Sequence, residues 1–265
     1  LHAYCTTARF VANGWLAFAH ARKNLYLLDP VSDAIVWQFP LEIPPIDLAV
    51  SPDGRRVAAA LEFDRRLRDL PPQVVLIDTL SPRGLKFLER SVMALSYQDD
   101  GRRFVEAAPD QVHECDAESG RQIRSLFRLP GRTLDICCSC DGKQVLACGV
   151  AGHADPDESF DAEDQGWVML WGEDRGDPLR LEGHTAPVVS AAFGPEGLRC
   201  ATGSLDRTIR LWDTSSGELL HTFRGHLGEV RGISYSPKGD RILSAAEDGA
   251  AVWNVAPYAP VPVES

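Results

Sequence analysis

Two groups of residues in the last third of the chain have the side-chain types that serve in acid–base and nucleophilic chemistry. The first group consists of His184, Thr202 and Asp206. A histidine beside a carboxylate and a hydroxyl can act as a catalytic triad, in which the histidine accepts the hydroxyl proton and the carboxylate orients the histidine. The second group repeats the pattern at the same spacing with His226, Ser244 and Asp248.

The surroundings of the two hydroxyl residues do not favour nucleophilic catalysis. Thr202 and Ser244 lie in the middle of short apolar runs. A catalytic serine of the G-x-S-x-G type sits on a sharp, exposed turn between a strand and a helix, and this motif does not occur in the sequence. Buried polar side chains need hydrogen-bond partners, and a carboxylate can hold a histidine in one tautomer. A structural hydrogen-bond network is therefore the favoured interpretation.

The elements that carry these residues are short strands. Between Gly183 and His226 three largely apolar runs, 188–193, 200–204 and 208–212, are separated by Gly, Pro, Asp and Ser. A fourth run, 218–224, precedes the next Gly-His pair. Runs of this length between turn residues predict strands joined by tight turns.

The stretch 183–226 closely resembles a WD40 repeat, which is one blade of a β-propeller. The resemblance rests on Gly183-His184, on Ser204 followed two residues later by Asp206, and on Trp212-Asp213. It implies a buried hydrogen-bond chain that runs from the tryptophan through the hydroxyl and the histidine to the aspartate. The residues of the two chains are His184, Thr202, Asp206 and Trp212 in one repeat and His226, Ser244, Asp248 and Trp253 in the next.

Two landmarks recur in step along the whole chain and predict six repeats. The turn that closes the first strand of a repeat ends at Gly14, Gly54, Gly101, Gly142, Gly197 and Gly239. The position of the Trp-Asp pair follows each turn, and in the third repeat Cys115 replaces the tryptophan. The predicted repeats cover about residues 1–44, 45–90, 91–130, 131–182, 183–224 and 225–265 of a single domain, 1–265.

The predicted fold class is therefore all-β, a β-propeller of four-stranded antiparallel blades. Six blades are visible in the sequence, and seven blades completed by residues upstream of Leu1 are the alternative. In the family the outermost strand of the last blade is often donated by the N-terminus, but Ala259–Val263 could form this strand here, because proline is tolerated on a sheet edge.

The positions and spacing of the cysteines and of the remaining histidines do not predict a metal site or a cofactor. Cys137, Cys138 and Cys140 align with strand and turn positions of the other repeats, and no zinc-type spacing follows them. His221 and His226 also occupy strand and loop positions. The seven cysteines are interpreted as reduced thiols of a cytoplasmic protein.

Two repeats are lengthened between their second and third strands, and these loops are the predicted partner-binding surface. Insertions in repeat proteins often lie on the binding face. The second repeat gains residues 61–73 and the fourth gains 151–166, which contains no Lys or Arg. A calcium loop is excluded for the latter, because the required Gly and Glu positions are Phe160 and Gly166. The candidate contact residues are Phe63, Arg65, Arg66, Arg68, Asp155, Asp157, Glu158 and Phe160.

Composition narrows the partner class. The net charge is −11, which disfavours a nucleic-acid binder and suits a basic protein or peptide. No apolar run reaches the 18 or so residues of a membrane span, and no signal-peptide pattern opens the chain. We expect protein or peptide partners, no nucleic acid and no membrane. The sequence leaves the oligomeric state open.

The predicted function is a non-catalytic protein-interaction scaffold. Because the chain starts at a repeat boundary, we expect the sensing or scaffolding part of a larger signalling or regulatory protein. The first alternative is a propeller hydrolase with its site in the central channel, and the second is a reader of basic peptides. Fold analogy alone does not separate these functions, because propellers serve both as binders and as enzymes.

Overall fold

The computed structural model describes most of the chain and shows an all-β protein. The described residues are 5–10, 16–20, 24–29, 31–41, 43, 45–61, 73–79, 86–98, 100–152 and 163–258. Within them the only helical element is one short 3-10 turn, Ala256–Tyr258. In the same ranges no helix has the length and hydropathy that a membrane crossing requires.

The first compact unit, Leu1–Leu126, contains three four-stranded antiparallel sheets. The last strand of the third sheet ends just past the boundary of this unit. Sheet 1 consists of β1 (Cys5–Phe10), β2 (Leu16–His20), β3 (Asn24–Asp29) and β4 (Ala34–Pro40). Sheet 2 consists of β5 (Pro45–Val50), β6 (Arg56–Leu61), β7 (Gln73–Asp78) and β8 (Lys86–Glu89). Sheet 3 consists of β9 (Ala94–Tyr97), β10 (Arg103–Ala107), β11 (Gln111–Asp116) and β12 (Gln122–Arg128).

The second compact unit, Phe127–Ser265, contains two four-stranded sheets and one three-stranded sheet. Sheet 4 consists of β13 (Gly131–Cys138), β14 (Gln144–Ala151), β15 (Gly166–Gly172) and β16 (Leu179–Arg180). Sheet 5 consists of β17 (Val188–Phe193), β18 (Arg199–Ser204), β19 (Thr208–Asp213) and β20 (Leu219–Arg224). Sheet 6 consists of β21 (Val230–Tyr235), β22 (Arg241–Ala246) and β23 (Gly249–Asn254).

Each sheet is a meander of neighbouring strands, and each lies within one of the six predicted repeats. The prediction of an all-β fold built from antiparallel propeller-type blades is confirmed. Sheet 6 differs from the expected four strands, because three strands are described and the candidate fourth, Ala259–Val263, lies outside the described residues. The single domain and the number of blades in a closed ring stay predictions.

The backbone conformation of the turns between first and second strands explains why glycine occurs there. Gly54, Gly101, Gly142, Gly197 and Gly239 have φ angles from 61° to 70°. This left-handed conformation is costly for residues with a Cβ atom. In each of the five turns the glycine N–H donates to the carbonyl oxygen three residues earlier, as Gly197 does to Gly194 at 2.9 Å. The tight turn then returns the chain as the second strand of the sheet.

Within each unit, apolar side chains cover both faces of inner strands and form the core between consecutive sheets. All six residues of β18 are buried. Cys200 and Trp212 pack against sheet 4 in one cluster, whereas Ala201 and Leu211 pack against sheet 6 in another. A strand that is covered on both faces reads as a nearly continuous apolar run, which explains the weak alternation of the sequence.

Side-chain oxygens on the first strands link neighbouring sheets within each unit. The Asp47 carboxylate accepts a hydrogen bond from the backbone N–H of Leu95 at 2.8 Å, which joins β5 to β9. Asp135 accepts one from Ala191 at 2.9 Å and so joins β13 to β17. The second of these bonds holds sheet 5, which carries the first candidate network, against sheet 4.

Candidate functional site

The loop before β17 and the strands of sheet 5 bring the first predicted network together. His184 Nδ1 lies 2.7 Å from Asp206 Oδ2, and His184 Nε2 lies 2.8 Å from Thr202 Oγ1. Trp212 Nε1 donates to the same hydroxyl oxygen at 2.9 Å. With the Nδ1 proton on His184 donated to Asp206, Nε2 is left to accept the Thr202 proton. The four side chains form one continuous hydrogen-bond chain.

Burial and hydrogen bonds set the charges in this network. Burial lowers the pKa of His184 and outweighs the opposing effect of Asp206. Burial also tends to raise the pKa of Asp206, but hydrogen bonds from His184, Thr208 and the backbone of Thr185 hold it well below its ordinary value. At neutral pH the network therefore contains a neutral imidazole and an ionised carboxylate.

Both oxygens of the Asp206 carboxylate are used inside the fold. Oδ1 accepts hydrogen bonds from the Thr208 backbone N–H at 2.9 Å and from the Thr208 hydroxyl at 2.6 Å. Oδ2 accepts from the Thr185 backbone N–H at 3.2 Å as well as from His184. Asp206 thus ties the loop before β17 to the turn between β18 and β19.

Sheet 6 repeats the network in a more exposed setting. His226 Nδ1 lies 2.9 Å from Asp248 Oδ1, and His226 Nε2 lies 2.7 Å from Ser244 Oγ. Trp253 Nε1 donates to Ser244 Oγ at 2.7 Å. The Asp248 side chain is 28% exposed, whereas that of Asp206 is 6% exposed. All eight residues of the expected networks therefore lie within hydrogen-bond distance of their expected partners.

This geometry suits a structural role better than nucleophilic catalysis. Thr202 and Ser244 are fully buried, and each hydroxyl oxygen lies between a histidine and a tryptophan. A substrate carbonyl cannot approach a hydroxyl that is enclosed in this way. His184 also lines a cavity of about 270 Å³ beside β15, but both of its ring nitrogens are engaged with Thr202 and Asp206.

Sheet 3 contains a different network, which the sequence analysis missed except for Cys115. Arg90 Nη2 lies 2.6 Å from the fully buried Glu106 carboxylate and donates to Cys115 Sγ at 3.6 Å. The strand register places Glu106 and Cys115 where sheet 5 has Thr202 and Trp212. An ion pair and a thiol thus replace the hydroxyl, histidine and tryptophan.

The available signal for this network was a glutamate inside an apolar run. Glu106 follows Phe104 and Val105 in β10, and a charged residue is almost never fully buried unless it is paired. The partner could not be read from the sequence, because Arg90 follows β8 of the preceding sheet and reaches Glu106 only in the folded chain. Gln122 also donates to the Glu106 carboxylate at 3.1 Å.

Three of the described cysteines lie in the core of the second unit. Cys137, Cys148 and Cys200 belong to one hydrophobic cluster between sheets 4 and 5. Burial raises the pKa of each of the three thiols, which keeps them protonated and unreactive. Among the residues that the structure describes, no group of three or more His, Cys, Asp or Glu side chains could hold a metal ion.

The predicted partner-binding residues all belong to the two lengthened loops. All eight fall in the ranges 62–72 and 153–162, which lie outside the described residues. The ends of these loops are described. They connect β6 to β7 and β14 to β15, which are the second and third strands of sheets 2 and 4, as the repeat alignment predicts.

A family model supplies an independent comparison for the C-terminal part of the chain. The model described as WD domain, G-beta repeat matches residues 177–213 and 217–253. Each match begins before the last strand of one sheet and ends in the third strand of the next sheet. The sequence repeat therefore spans two neighbouring sheets.

The chain is also similar to parts of curated proteins. It is 49% identical over 61 residues to Ribosome assembly protein 4 of Chaetomium thermophilum, covering 23% of this chain and 12% of that protein. It is 44% identical over 63 residues to Dynein assembly factor with WD repeat domains 1 of Danio rerio, covering 23% and 15%. It is 26% identical to Autophagy-related protein 16 of Arabidopsis thaliana, covering 57% and 35%. The chain thus spans about a third or less of the length of these relatives.

Proposed function

Residues 177–213 and 217–253 are WD40 repeats, and on this premise we propose that the chain is a non-catalytic scaffold for protein–protein interaction. The observation that carries the proposal is that the imidazole, hydroxyl and carboxylate groups of the His184 and His226 networks are hydrogen-bonded to one another inside the fold. These hydrogen bonds stabilise the loops and strands, and the protein therefore offers a rigid surface to a partner. One similar protein is named as a ribosome assembly protein and another as a dynein assembly factor with WD repeat domains, which supports a role in assembling proteins.

The partner in this proposal is a basic protein or peptide. The net charge of −11 would steer a basic partner towards the chain and would repel nucleic acid. The acidic residues Asp155, Asp157 and Glu158 are the proposed contacts. A place in a larger signalling protein and a cytoplasmic location remain part of the proposal. Free thiols at Cys115, Cys137, Cys148 and Cys200 agree with a reducing compartment.

Affinity capture from lysate of the source cell, read by mass spectrometry, tests the proposal. The unmodified chain is compared with a variant in which Asp155, Asp157 and Glu158 are changed to Asn, Asn and Gln. A control variant carries the same kind of neutralisation at Glu118 and Glu218, outside the lengthened loops. We expect one stoichiometric protein that is captured by the unmodified chain and by the control and is reduced about tenfold or more by the loop variant, because charged pairs across an interface set association and orientation.

Two results would contradict parts of this proposal. Equal capture by all three forms would keep the scaffold and move the contact away from the acidic loop. Capture of no partner by a chain with a normal melting transition would remove the scaffold function, and activity with a panel of hydrolase substrates would then replace it with an enzyme.

A further inference from the structure

Three arginines lie at one end of sheet 5, where β19 begins and β20 ends. Arg207 directly precedes β19, Arg210 is the third residue of β19, and Arg224 is the last residue of β20. The strand register pairs Thr208 with Arg224 and Arg210 with Thr222. Opposed residues and every second residue of a strand share one face of a sheet. The side chains of Arg210 and Arg224 therefore lie on the same face.

In the part of the chain that the structure describes, no carboxylate forms an ion pair with these three arginines. Arg210 Nη2 donates to the carbonyl oxygen of Gly183 at 2.7 Å, which is a neutral acceptor. The other two arginines are exposed. Asp206 is the acid that acts on Arg210, but both of its carboxylate oxygens already accept hydrogen bonds inside the fold. The guanidinium groups therefore lack an anionic partner.

The like charges of this cluster oppose one another. Burial lowers the pKa of the Arg210 guanidinium, Asp206 opposes that effect in part, and Arg224 adds to it. The three arginines together with the single carboxylate of Asp206 leave a local charge of +2, in a chain whose net charge is −11. A bound dianion would remove this repulsion, because opposite charges at short range favour the charged form of each group.

Sheet 3 shows how this chain satisfies a pair of arginines when an anion is present. The Glu114 carboxylate on β11 accepts hydrogen bonds from Arg103 Nη1 at 3.0 Å and from Arg124 Nε at 2.7 Å, on the strands to either side. One oxyanion group thus bridges two guanidinium groups of neighbouring strands. Arg210 and Arg224 also lie on neighbouring strands, but their bridging anion must come from another molecule.

The backbone of Arg207 is strained. Its φ is 68°, a left-handed conformation that costs a residue with a Cβ atom about 1–2 kcal/mol. The equivalent residue of sheet 6, directly after Asp248, is Gly249, which also has a positive φ. Glycine would adopt the conformation without this cost, and strained residues that persist are concentrated at functional sites. The arginine side chain at this turn is therefore the feature that needs a reason.

We propose that Arg207, Arg210 and Arg224 bind a phosphate monoester carried by a serine or threonine of a partner protein. A phosphorylated side chain has a charge of about −1.5 to −2 at pH 7 and three acceptor oxygens, so one such group matches the local charge and bridges adjacent guanidinium groups. This inference rests on the proposed scaffold function. It adds a phosphorylated residue to the basic partner and places its contact on sheet 5.

The probe is the capped peptide Lys-Lys-Ala-Ser-Ala-Lys-Lys, with and without phosphate on its serine, titrated into the full, isotope-labelled chain. NMR follows the guanidinium Nε–H signals, which Arg210→Gln and Arg224→Gln assign. We expect the phosphorylated peptide to shift both signals and to bind at least tenfold more tightly. Arg224→Gln should weaken its binding about tenfold. Arg241→Gln is the matched control, since it removes the same charge from an exposed side chain of sheet 6, and it should change binding less than twofold.

Arg207→Gly separates the site from the fold. Glycine relieves the strain at φ 68°, so the melting temperature should rise, whereas binding of the phosphorylated peptide should weaken several-fold because one guanidinium is lost. A variant that binds the peptide as tightly as the unmodified chain does would overturn the assignment of Arg207 to the site.

The remaining outcomes identify other ligands. Equal binding with and without phosphate would overturn the proposal, and equal binding of a peptide with Glu in place of phosphoserine would replace it with an acidic segment. Inorganic phosphate that shifts the same signals with the affinity of the phosphorylated peptide would show a site for an adventitious ion only. If phosphatase treatment of the lysate and Arg224→Gln both leave the capture of a partner unchanged, the scaffold function stands and this site is wrong. Capture of no partner would instead remove the scaffold function.

Discussion

At the scale of single residues, the His184 network shows how catalytic side-chain types can be used for stability. Asp206 holds three backbone or side-chain donors besides His184, and Thr202 lies between the imidazole and the indole. A buried polar group that loses its partner costs the free energy of its desolvation. The strength of the network therefore depends on each of its members.

Removing the Asp206 carboxylate should destabilise the second unit. Asp206→Ala leaves His184 Nδ1 and the donors of Thr185 and Thr208 without their acceptor, and we expect a loss of about 1–3 kcal/mol in the free energy of unfolding. Denaturant titration measures the loss. Asp248→Ala is the matched control in sheet 6 and should cost less, because Asp248 is more exposed. An unchanged midpoint for Asp206→Ala would contradict the assignment.

The pKa of His184 predicts a pH dependence of stability. Its pKa in the folded chain lies below the ordinary value of 6.5, chiefly because the ring is buried. As the pH falls through 6.5, the unfolded chain therefore takes up the proton first, and the folded chain loses stability. Comparing unfolding free energies at pH 7.5 and 5.5, we expect a larger fall for the unmodified chain than for His184→Gln. An equal decrease in the free energy of unfolding for the two proteins would show that His184 is not held in its neutral form.

Asp206 contributes to the pH dependence of stability at lower pH than His184. Its folded pKa is depressed, so its contribution to stability is present above the ordinary value of 3.8 and is lost as the pH falls towards the lower folded value. Acid unfolding of the unmodified chain should therefore steepen below about pH 4.

At the scale of elements, sheets 3 and 5 have a similar form but are stabilised by different buried polar contacts. In sheet 5, the buried polar contact is the hydrogen bond between the neutral imidazole of His184 and the hydroxyl of Thr202. Sheet 3 uses the Arg90–Glu106 ion pair beside Cys115. Breaking a buried ion pair is costly because one charge is left without compensation, whereas replacing both partners by apolar residues can be nearly neutral.

A double-mutant cycle tests this difference in sheet 3. Arg90→Met should lower the free energy of unfolding by about 3–5 kcal/mol, because Glu106 then remains buried without its cation. Arg90→Met combined with Glu106→Met should recover most of that loss. Chemical denaturation of the unmodified chain, of Arg90→Met, of Glu106→Met and of the double variant gives the coupling energy. A double variant as unstable as the single variant would contradict the ion-pair assignment.

The turn glycines offer a second test at this scale. Gly197→Ala should cost about 1–2 kcal/mol, because its φ is 70° and an added Cβ atom disfavours that conformation. Space does not cause the loss, since the nearest atoms would lie at 3.7 Å. Gly176→Ala is the control, because it lacks a positive φ and an added Cβ would meet nothing within 4 Å. Equal melting temperatures for the two variants would contradict a conformational role of Gly197.

At the scale of the whole molecule, net charge is the property that bears on association. With a net charge of −11, a basic partner should associate faster at low than at high ionic strength. For the protein captured by the unmodified chain, we expect the association rate constant to fall about tenfold or more between 50 and 300 mM salt, with a smaller change in the dissociation rate. Stopped-flow fluorescence measures both. A rate that does not depend on salt would contradict electrostatic steering.

Local rules already determined much of this protein from its sequence. Turn glycines need a positive φ, apolar runs between turns need burial, and Gly183-His184 with Trp212-Asp213 carries the repeat signature. The six sheets could be expected from these local features, and the His184 and His226 networks from the resemblance to WD40 repeats.

Contacts between residues that are far apart in the sequence could be identified only from the tertiary structure. Arg90 reaches Glu106 from the preceding sheet, and Asp47 reaches the backbone of Leu95 from another strand. The exposed face of Leu243 and Val252 also follows from what packs against sheet 6, since the same positions in sheet 5 are buried. A sequence pattern specifies which side chains share a face of a strand, but burial and ion pairing depend on the neighbouring sheet, which the local pattern does not contain.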